Sequence, residues 1–464
     1  MKKELNFSSV KWGISLSTLI LFICSSLRHE LFQSTAYDLG IFDQAIYLIS
    51  QAQPPISSYL GFHILGDHAA LIFYPLALLY KIYPTVYWLF AIQSIALAIG
   101  ALPTWYLALQ AGLEESQAIA MVYVYLLYPL LFNVNLFDFH PEVLVVPALL
   151  TAVLTARKRQ LWWFCLNIFL VLGCKEVLSL TIAAMGVWLL FVEKRRLYGT
   201  IAFISGIIWF LIATKGIIPF FGTEAASIER QLGKYSYLGS SFIEVSKTLL
   251  FRPTIILENL FSLDNLQYLV LLLLPVIWGF SFQGLKHLIA VVPCLSLNLL
   301  ADFSLQKDLL HQYSIPIVPF LIVSVISTLA AGKGWLQNKR TIILWSIITF
   351  ITLTKFTYFG GRYLKSIDNW QATKQAITQV KTKSSVYTTT QISPHLSQRK
   401  LIKITNNNSS TIDLQTFNYI LLNVRHPGLG STTEFATNLV NQIKNYHEFY
   451  LAYQQDDVYL FIKS

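Results

Sequence analysis

Acidic residues and histidines cluster just after the first long apolar segment of this chain. Asp38 and Asp43 lie in one short string, and His63, Asp67 and His68 follow soon after. A carboxylate can take a proton from a hydroxyl group, whereas histidines beside an acid can hold a phosphate or a metal ion. Since a charge in lipid costs about 2.5–3.5 kcal/mol on insertion scales, these residues are candidates for a site just outside the first membrane span.

More polar groups interrupt the apolar segments farther along. They are Asp138-Phe-His140-Pro-Glu142, Lys175-Glu176 and His311-Gln-Tyr313. Proline and acids at a helix start are also ordinary helix-initiating residues. Lys175 and Glu176 are harder to explain in that way, because charges inside an apolar run pair with each other or line a cavity.

Structural roles compete with catalysis for several of these residues. Asp38 could cap a helix, and Asp43 could lie on the polar face of an amphipathic surface helix formed by residues 41–49. His63, Asp67 and His68 could belong to an ordinary external loop. The sequence leaves these alternatives open.

The composition is that of an integral membrane protein, with 55% hydrophobic residues, 12% charged residues and a mean hydropathy of +0.54. The net charge of +10 arises from short basic clusters between apolar stretches, at 157–159, 194–196 and 339–340. Such clusters mark cytoplasmic loops, so we do not expect nucleic-acid binding. The 4 cysteines all lie in apolar stretches, which argues against a disulfide framework and a thiolate metal site.

We expect an α-helical polytopic membrane protein with about eleven spans, a cytoplasmic N-terminus and surface helices in a first external loop. The predicted spans are 11–27, 86–109, 118–137, 143–156, 161–175, 176–192, 198–219, 266–282, 285–302, 312–331 and 341–357. Segment 68–83 is expected to lie on the outer surface, because counting it as a span would move the basic clusters outside.

The organisation predicted is a membrane module, residues 1–359, which includes the first external loop at 28–85, and an extracytoplasmic domain at 360–464. That domain is expected to be a small α/β domain. Strands are predicted at 386–390, 401–404, 419–422 and 458–461, and helices at 364–380 and 432–446. On this topology the polar groups named above all fall on the outer face.

Five strings carry a resemblance to a known family: Asp38-Leu-Gly-Ile-Phe-Asp43-Gln, Leu65-Gly-Asp67-His68, Leu136-Phe-Asp138-Phe-His140-Pro-Glu142, Cys174-Lys175-Glu176 and His311-Gln-Tyr313. Together they resemble a bacterial multi-pass membrane family known only as a domain of unknown function. That family is similar to the type C (GT-C) glycosyltransferases, which include protein mannosyltransferases and aminoarabinose transferases. The resemblance covers essentially the whole chain and implies a location in the bacterial inner membrane.

The resemblance also implies roles for individual residues. Asp38 takes the position of the catalytic acid in the Asp-Glu pair of the transferases, although Leu39 stands here in place of the Glu. Asp67-His68 falls where the aminoarabinose transferases carry a phosphate-holding Lys-Pro-Pro. Phosphate contact would therefore need Lys175, Lys81, Arg28 or a divalent metal, the one cofactor that we consider.

The leading hypothesis is a membrane glycosyltransferase that moves a sugar from a polyprenyl-phosphate donor to an acceptor at the outer face. Asp38, Asp43 and Glu142 are the candidate catalytic residues. The candidate substrate- and phosphate-binding residues are His63, Asp67, His68, Asp138, His140, Lys175, Glu176, His311 and Tyr313. The alternatives are a transporter or flippase, and a non-catalytic scaffold that displays the C-terminal domain. Transporters usually show inverted repeats and polar groups near the midplane, and we find neither pattern in the sequence.

Overall fold

The computed structural model describes residues 7–223, 232–407 and 412–464. This part of the chain is mostly helical. Its α-helices are Phe7–Glu30, Ile41–Ser50, Phe73–Ile82, Tyr87–Ile99, Ala101–Gln110, Glu115–Leu126, Pro129–Phe137, Val145–Arg157, Leu161–Leu172, Leu178–Phe191, Arg196–Ile212, Ile218–Phe221, Phe242–Phe251, Pro253–Leu260, Leu263–Leu273, Phe282–Leu285, Val292–Leu300, Val318–Ala330, Lys339–Leu353, Phe356–Tyr363, Trp370–Thr378 and Thr433–Lys444.

Seven helical segments within the described residues are long and apolar enough to cross a membrane. They are Phe7–Glu30, Tyr87–Gln110, Glu115–Phe137, Arg196–Phe221, Phe282–Leu300, Gln312–Ala330 and Lys339–Thr378. The pair Pro253–Leu260 and Leu263–Gly279, bent by 53°, makes an eighth if it is counted as one span.

About eleven spans were expected, and seven or eight helical segments meet this criterion of length and composition. The other three expected spans correspond to the shorter helices Val145–Arg157, Leu161–Leu172 and Leu178–Phe191, which have 13, 12 and 14 residues. At 1.5 Å per residue, such helices are about 18–21 Å long, against a hydrocarbon core of about 30 Å. Phe73–Ile82, in the segment expected to lie on the surface, has 10 residues.

The chain packs as two compact units. The first, here called the helical unit, comprises the residues up to Phe22, Leu65–Ile72 and Ala91–Lys355. The second, the sheet unit, comprises Ile23–Ile64, Phe73–Phe90 and Phe356–Ser464. The sheet unit thus combines the C-terminal residues with most of the first loop.

Glycines allow two apolar helices of the helical unit to pack at very short range. A Cβ atom on Gly186 would lie 2.4 Å from the backbone nitrogen of Phe203, and one on Gly206 would lie 2.6 Å from the carbonyl oxygen of Ser179. Small residues permit such close approach where apolar helices pack in lipid. The contact fixes the helix Leu178–Phe191, which begins directly after Lys175 and Glu176.

The sheet unit contains a five-stranded sheet and a short hairpin. The hairpin pairs β1 (Ile56–Ser57) with β2 (Phe62–His63), antiparallel. The sheet has the order β4-β3-β5-β7-β6, formed by β3 (Val386–Thr388), β4 (Ile402–Ile404), β5 (Tyr419–Asn423), β6 (Phe449–Gln455) and β7 (Val458–Lys463). Strands β4, β3 and β5 are parallel, whereas β7 and β6 extend the sheet antiparallel.

Most of the C-terminal domain follows its sequence pattern. Strand β5 is buried along its whole length, as expected for an apolar central strand. The helix Thr433–Lys444 buries Ala436, Leu439, Val440 and Ile443 on one face, and the side chain of Thr432 accepts a hydrogen bond from the backbone N–H of Phe435. The prediction of a small C-terminal α/β fold is confirmed. Strand β6 was not predicted, and four of its seven residues are exposed.

A labelling experiment tests the predicted orientation. We expect single cysteines placed at Lys381 and Glu434, which are exposed in the C-terminal part of the chain, to react with a membrane-impermeant maleimide in intact cells. Cysteines at Lys158 and Lys339, which are exposed and lie in basic clusters, should react only after permeabilisation. Labelling of all four sites in intact cells, or the reverse pattern, would contradict the orientation.

Candidate functional site

Three short segments of the helical unit bring polar residues together at the ends of apolar helices. Glu142 lies in a 3-10 turn, Pro141–Leu144, which leads into the helix Val145–Arg157. Lys175 and Glu176 lie in the connection between the helices Leu161–Leu172 and Leu178–Phe191. The third segment, Leu65–Ile72, carries Asp67 and His68.

Glu142 and Lys175 form a buried ion pair. The Lys175 ammonium donates to Oε1 of Glu142 over 2.8 Å, and Glu142 is 4% exposed. Burial by itself would raise the pKa of Glu142, but the positive charge of Lys175 and the proximity of His140 lower it below its ordinary value. For Lys175, burial would lower the pKa, whereas Glu142 and Glu176 raise it above its ordinary value. Each charge therefore favours ionisation of the other residue.

Glu176 has its own partners. Its Oε1 lies 3.0 Å from Nδ1 of His68, and its Oε2 accepts from the backbone N–H of Ala69 at 3.3 Å. Asp67 is the second acid beside His68, with 4.0 Å between Oδ2 and Nε2. Burial opposes ionisation of Glu176, but His68 and Lys175 outweigh it and lower the pKa to about 2. Lys175 and Glu176 thus take their hydrogen-bond partners from other segments, rather than bonding to each other.

A lysine that we did not select from the sequence joins this site. The Lys234 ammonium lies 5.4 Å from the ring centre of Tyr313 and 5.5 Å from that of Phe303, both within cation–π range. A lone lysine in a polar loop carries no local signal of such a contact. Tyr313 is one of the predicted binding residues, and the structure places it at the same site.

Side chains of this site line a cavity of about 250 Å³. Its polar lining includes Asp67, His68, Lys175, Glu176, Lys234, Tyr235, Gln306 and Tyr313. Its apolar wall is formed by Val177, Leu180, Phe210, Ile218, Leu232 and Leu297. Two lysines and two carboxylates balance one another, so the formal charge of the lining is near zero when His68 is neutral. The cavity suits a ligand with a polar head and an apolar chain.

His140 and His311 lie against the ring of Phe137 in the helical unit. His311 approaches that ring edge-on, with 4.2 Å between the ring centres, and His140 stacks at 5.9 Å. Asp308 orients His311, since its Oδ2 lies 2.7 Å from Nδ1 of His311 while its Oδ1 accepts from the backbone N–H groups of Leu310 and His311. Nδ1 of His140 lies 3.2 Å from the carbonyl oxygen of Asp138.

The remaining predicted residues lie in the sheet unit. Asp38 is half-buried in a π-helical turn, Ala36–Gly40, and the N-cap of the following helix is Gly40. The alternative role of Asp38 as a helix cap is therefore wrong. His63 is half-buried in β2, and burial lowers its pKa.

Asp43 is 1% exposed and accepts hydrogen bonds from Tyr80, Ser397 and Gln398, none of which the sequence pointed to. Burial raises the pKa of Asp43 despite these bonds. The helix Ile41–Ser50 also buries Gln44 beside Asp43. Its polar face is therefore covered by protein, rather than facing water as an amphipathic surface helix would.

A metal ion in a protein is held by several His, Cys, Asp or Glu side chains that lie close together. Among residues 7–223, 232–407 and 412–464, no three His, Cys, Asp or Glu side chains are grouped so that they could hold a metal ion. The ion pairs instead give each acid of the cavity a cationic or histidine partner.

Comparisons with known proteins agree on the family and on the fold. A family model described as "Predicted membrane protein (DUF2079)" matches residues 28–460. No curated protein sequence matches the chain significantly. Two crystal structures of ArnT from Cupriavidus metallidurans, a GT-C glycosyltransferase, share its fold at 9% sequence identity. The structure with bound undecaprenyl phosphate has a TM-score of 0.58 and covers 98% of each chain. The apo structure has a TM-score of 0.55 and covers 99% of this chain and 98% of that one.

The buried pair yields a stability prediction. Replacing Glu142 with Gln leaves the Lys175 charge without its partner, so we expect the free energy of unfolding to fall by about 3–5 kcal/mol. Lys175→Met should have a similar effect, and the double variant should cost less than the sum of the two. Thermal or denaturant unfolding in detergent measures this.

Glu114→Gln serves as the control, because Glu114 is exposed and its loss should change stability by less than about 0.5 kcal/mol. Glu193 would be a poor control, since it is paired with Arg157 at 2.8 Å. Equal effects of Glu142→Gln and Glu114→Gln would contradict the assignment of a buried ion pair.

Proposed function

We propose that this chain, which belongs to the DUF2079 family of predicted membrane proteins and has a GT-C-like fold, is a membrane glycosyltransferase. The proposed donor is a sugar linked to a polyprenyl phosphate, and transfer to the acceptor takes place at the outer membrane face. The observation that carries the proposal is the cavity of the helical unit, whose lining combines charged side chains with apolar ones.

The chemistry of the cavity lining supports a lipid-phosphate ligand. Lys175 and Lys234 supply positive charge to the lining, and the carboxylates of Glu142 and Glu176 raise the pKa of Lys175 above its ordinary value. Leu180, Phe210 and Leu297 offer apolar surface to an isoprenoid chain. The ArnT structure with undecaprenyl phosphate shows that this fold accommodates a polyprenyl phosphate in that protein.

The proposed reaction needs a base and stabilisation of the leaving group. A carboxylate takes the proton of an acceptor hydroxyl, whose oxygen then attacks the anomeric carbon of the sugar. The bond between that carbon and the phosphate oxygen breaks, and the phosphate leaves with its negative charge. The lysines of the cavity would stabilise this charge.

Among the three candidate catalytic acids, Asp38 is best suited to be the base. Asp43 and Glu142 are 1% and 4% exposed, and each is occupied by hydrogen bonds from protein groups. Asp38 is half-buried in its turn, so its side chain is partly accessible. The resemblance to the type C transferases assigns the same role to Asp38. Glu142 is better suited to hold Lys175 in place.

The lipid-binding part of the proposal can be tested with undecaprenyl phosphate as the probe. Lys234→Met removes a cation from the cavity lining. We expect it to weaken binding about tenfold, which corresponds to about 1.4 kcal/mol, a magnitude reasonable for a charge-assisted hydrogen bond. Tryptophan fluorescence or native mass spectrometry of the detergent-solubilised protein measures the affinity.

Lys158→Met is the matched control, since Lys158 also lies over an aromatic ring, that of Tyr106 at 4.7 Å, but does not line the cavity. Undecaprenyl phosphate bound equally well by the wild type and by both variants would count against the cavity as the lipid site.

The catalytic part can be tested at Asp38. Asn preserves the size of the side chain but cannot take a proton, so Asp38→Asn should reduce sugar transfer by roughly 10²–10⁴-fold while expression and unfolding stay unchanged. The assay follows release of labelled sugar from membrane lipid onto an acceptor. Full activity of Asp38→Asn would end the proposal for this residue. Movement of the lipid-linked sugar across the membrane without any new glycosidic product would favour the transporter alternative.

A further inference from the structure

We infer that the C-terminal domain holds the turn that carries Asp38, and that Asp43 and Tyr59 are positioning residues of the site. The inference rests on the proposed role of Asp38 and deepens it. All of the contacts that carry it lie inside the sheet unit.

Asp43 is the first of these contacts. Its carboxylate receives the Tyr80 hydroxyl at 2.6 Å on Oδ1 and the Ser397 hydroxyl at 2.5 Å on Oδ2, and Gln398 Nε2 lies 3.3 Å from Oδ1. A catalytic base must come within about 2.6–3.2 Å of the proton that it removes. A carboxylate that is 1% exposed and already holds three protein donors leaves no room for a substrate hydroxyl. Asp43 instead ties the helix Ile41–Ser50 to the segment around Ser397.

Tyr59 supports the turn itself. Its ring lies against Gly40, the last residue of the turn Ala36–Gly40, so that a Cβ atom on Gly40 would be 3.2 Å from the ring. Its hydroxyl lies 2.6 Å from the Ser393 hydroxyl, and the ring packs against the apolar core beneath β3. The turn also contacts the segment Ser393–His395 directly. The backbone around Asp38 is thus fixed by residues of the C-terminal domain.

Gln44 and Ser58 add a second row of bonds. Gln44 Nε2 donates to the Ser58 hydroxyl at 2.8 Å and to the carbonyl oxygen of Arg399 at 3.0 Å. The Ser58 hydroxyl donates to the carbonyl oxygen of Ile402 at 2.8 Å and accepts from the Ile402 N–H at 3.0 Å. Gln44 is fully buried, and Ile402 begins β4. Side chains of the first loop are therefore bonded to main-chain atoms at and just before β4, the strand at one edge of the sheet.

The consequence for catalysis is geometric. A displacement of about 1 Å at a reacting group can reduce a rate about 10²-fold. The turn Ala36–Gly40 has π-helical geometry, which is rare and occurs frequently at functional sites. Contacts that hold such a turn bear directly on the rate, even when they never touch the substrate.

The test combines hydrogen exchange with kinetics. In Ser397→Ala, Asp43→Asn and Tyr59→Phe we expect the amides of residues 36–50 to exchange about tenfold faster, as the loss of one buried hydrogen bond implies. Sugar transfer should fall about tenfold or more through kcat, with little change in KM. The double variant Asp43→Asn/Ser397→Ala should be no worse than the more severe single variant, because both changes break the same contact.

Asp368→Asn is the matched control. Asp368 belongs to the same domain and forms an exposed ion pair with Arg425, so its loss should leave both exchange at 36–50 and transfer unchanged. Unchanged exchange in all three test variants would overturn the inference. It would also be overturned if Asp43→Asn abolished transfer while exchange stayed normal and Ser397→Ala was silent, since Asp43 would then be a catalytic residue.

The exchange measurement does not depend on the proposed activity. If the wild-type protein transfers no sugar and the variants still exchange faster at residues 36–50, the proposed function fails while the attachment of the turn to the C-terminal domain stands. If transfer is normal in the wild type and exchange does not respond in the variants, the inference fails and the proposed function stands.

Discussion

The ion pair between Glu142 and Lys175 determines how the polar end of the helical unit is built. Neither charge could remain at the end of an apolar helix alone, because an unpaired buried charge costs several kcal/mol. The pair therefore holds the turn Pro141–Leu144 against the connection that precedes the helix Leu178–Phe191. Glu176 extends the arrangement through His68 to a third segment. Lys175 and Glu176, which are neighbours in one connection, thus hold two other segments in place. One of these segments brings Asp67 and His68 into the cavity lining.

Local sequence patterns were enough to find most of the residues at this cavity, but not their partners. Acids, histidines and a lysine in an apolar chain are conspicuous, because lipid excludes charge. Which acid meets which cation depends on helix packing, which leaves no local trace. Lys175 and Glu176 illustrate this, since they are adjacent in sequence but bond to Glu142 and His68. Lys234 was missed for the same reason, as only the folded chain brings it to Tyr313.

Asp38 and Asp43 show the same limit within one short string. Asp38 precedes an amphipathic segment and Asp43 lies within it. The sequence between them does not indicate which of the two is the better candidate for the catalytic acid. The fold separates them by burial, because Asp43 meets Tyr80 and Ser397 while Asp38 stays in a half-buried turn. Ser397 lies 354 positions away from Asp43, a separation that no periodicity can bridge. The lengths of three expected spans were also beyond the sequence pattern, since hydropathy reports apolar content and not helix length.

The order of the strands has a consequence for biosynthesis. Strand β7, Val458–Lys463, lies between β5 and β6, so the sheet closes only after residues 458–463 have been made. Strand β4 and Ser397, which satisfy Gln44, Ser58 and Asp43, belong to the domain that this strand completes. The polar groups of the first loop therefore meet these partners only after the intervening membrane module has been synthesised. Contacts of such high sequence separation, 354 positions for Asp43 and Ser397, form slowly during folding.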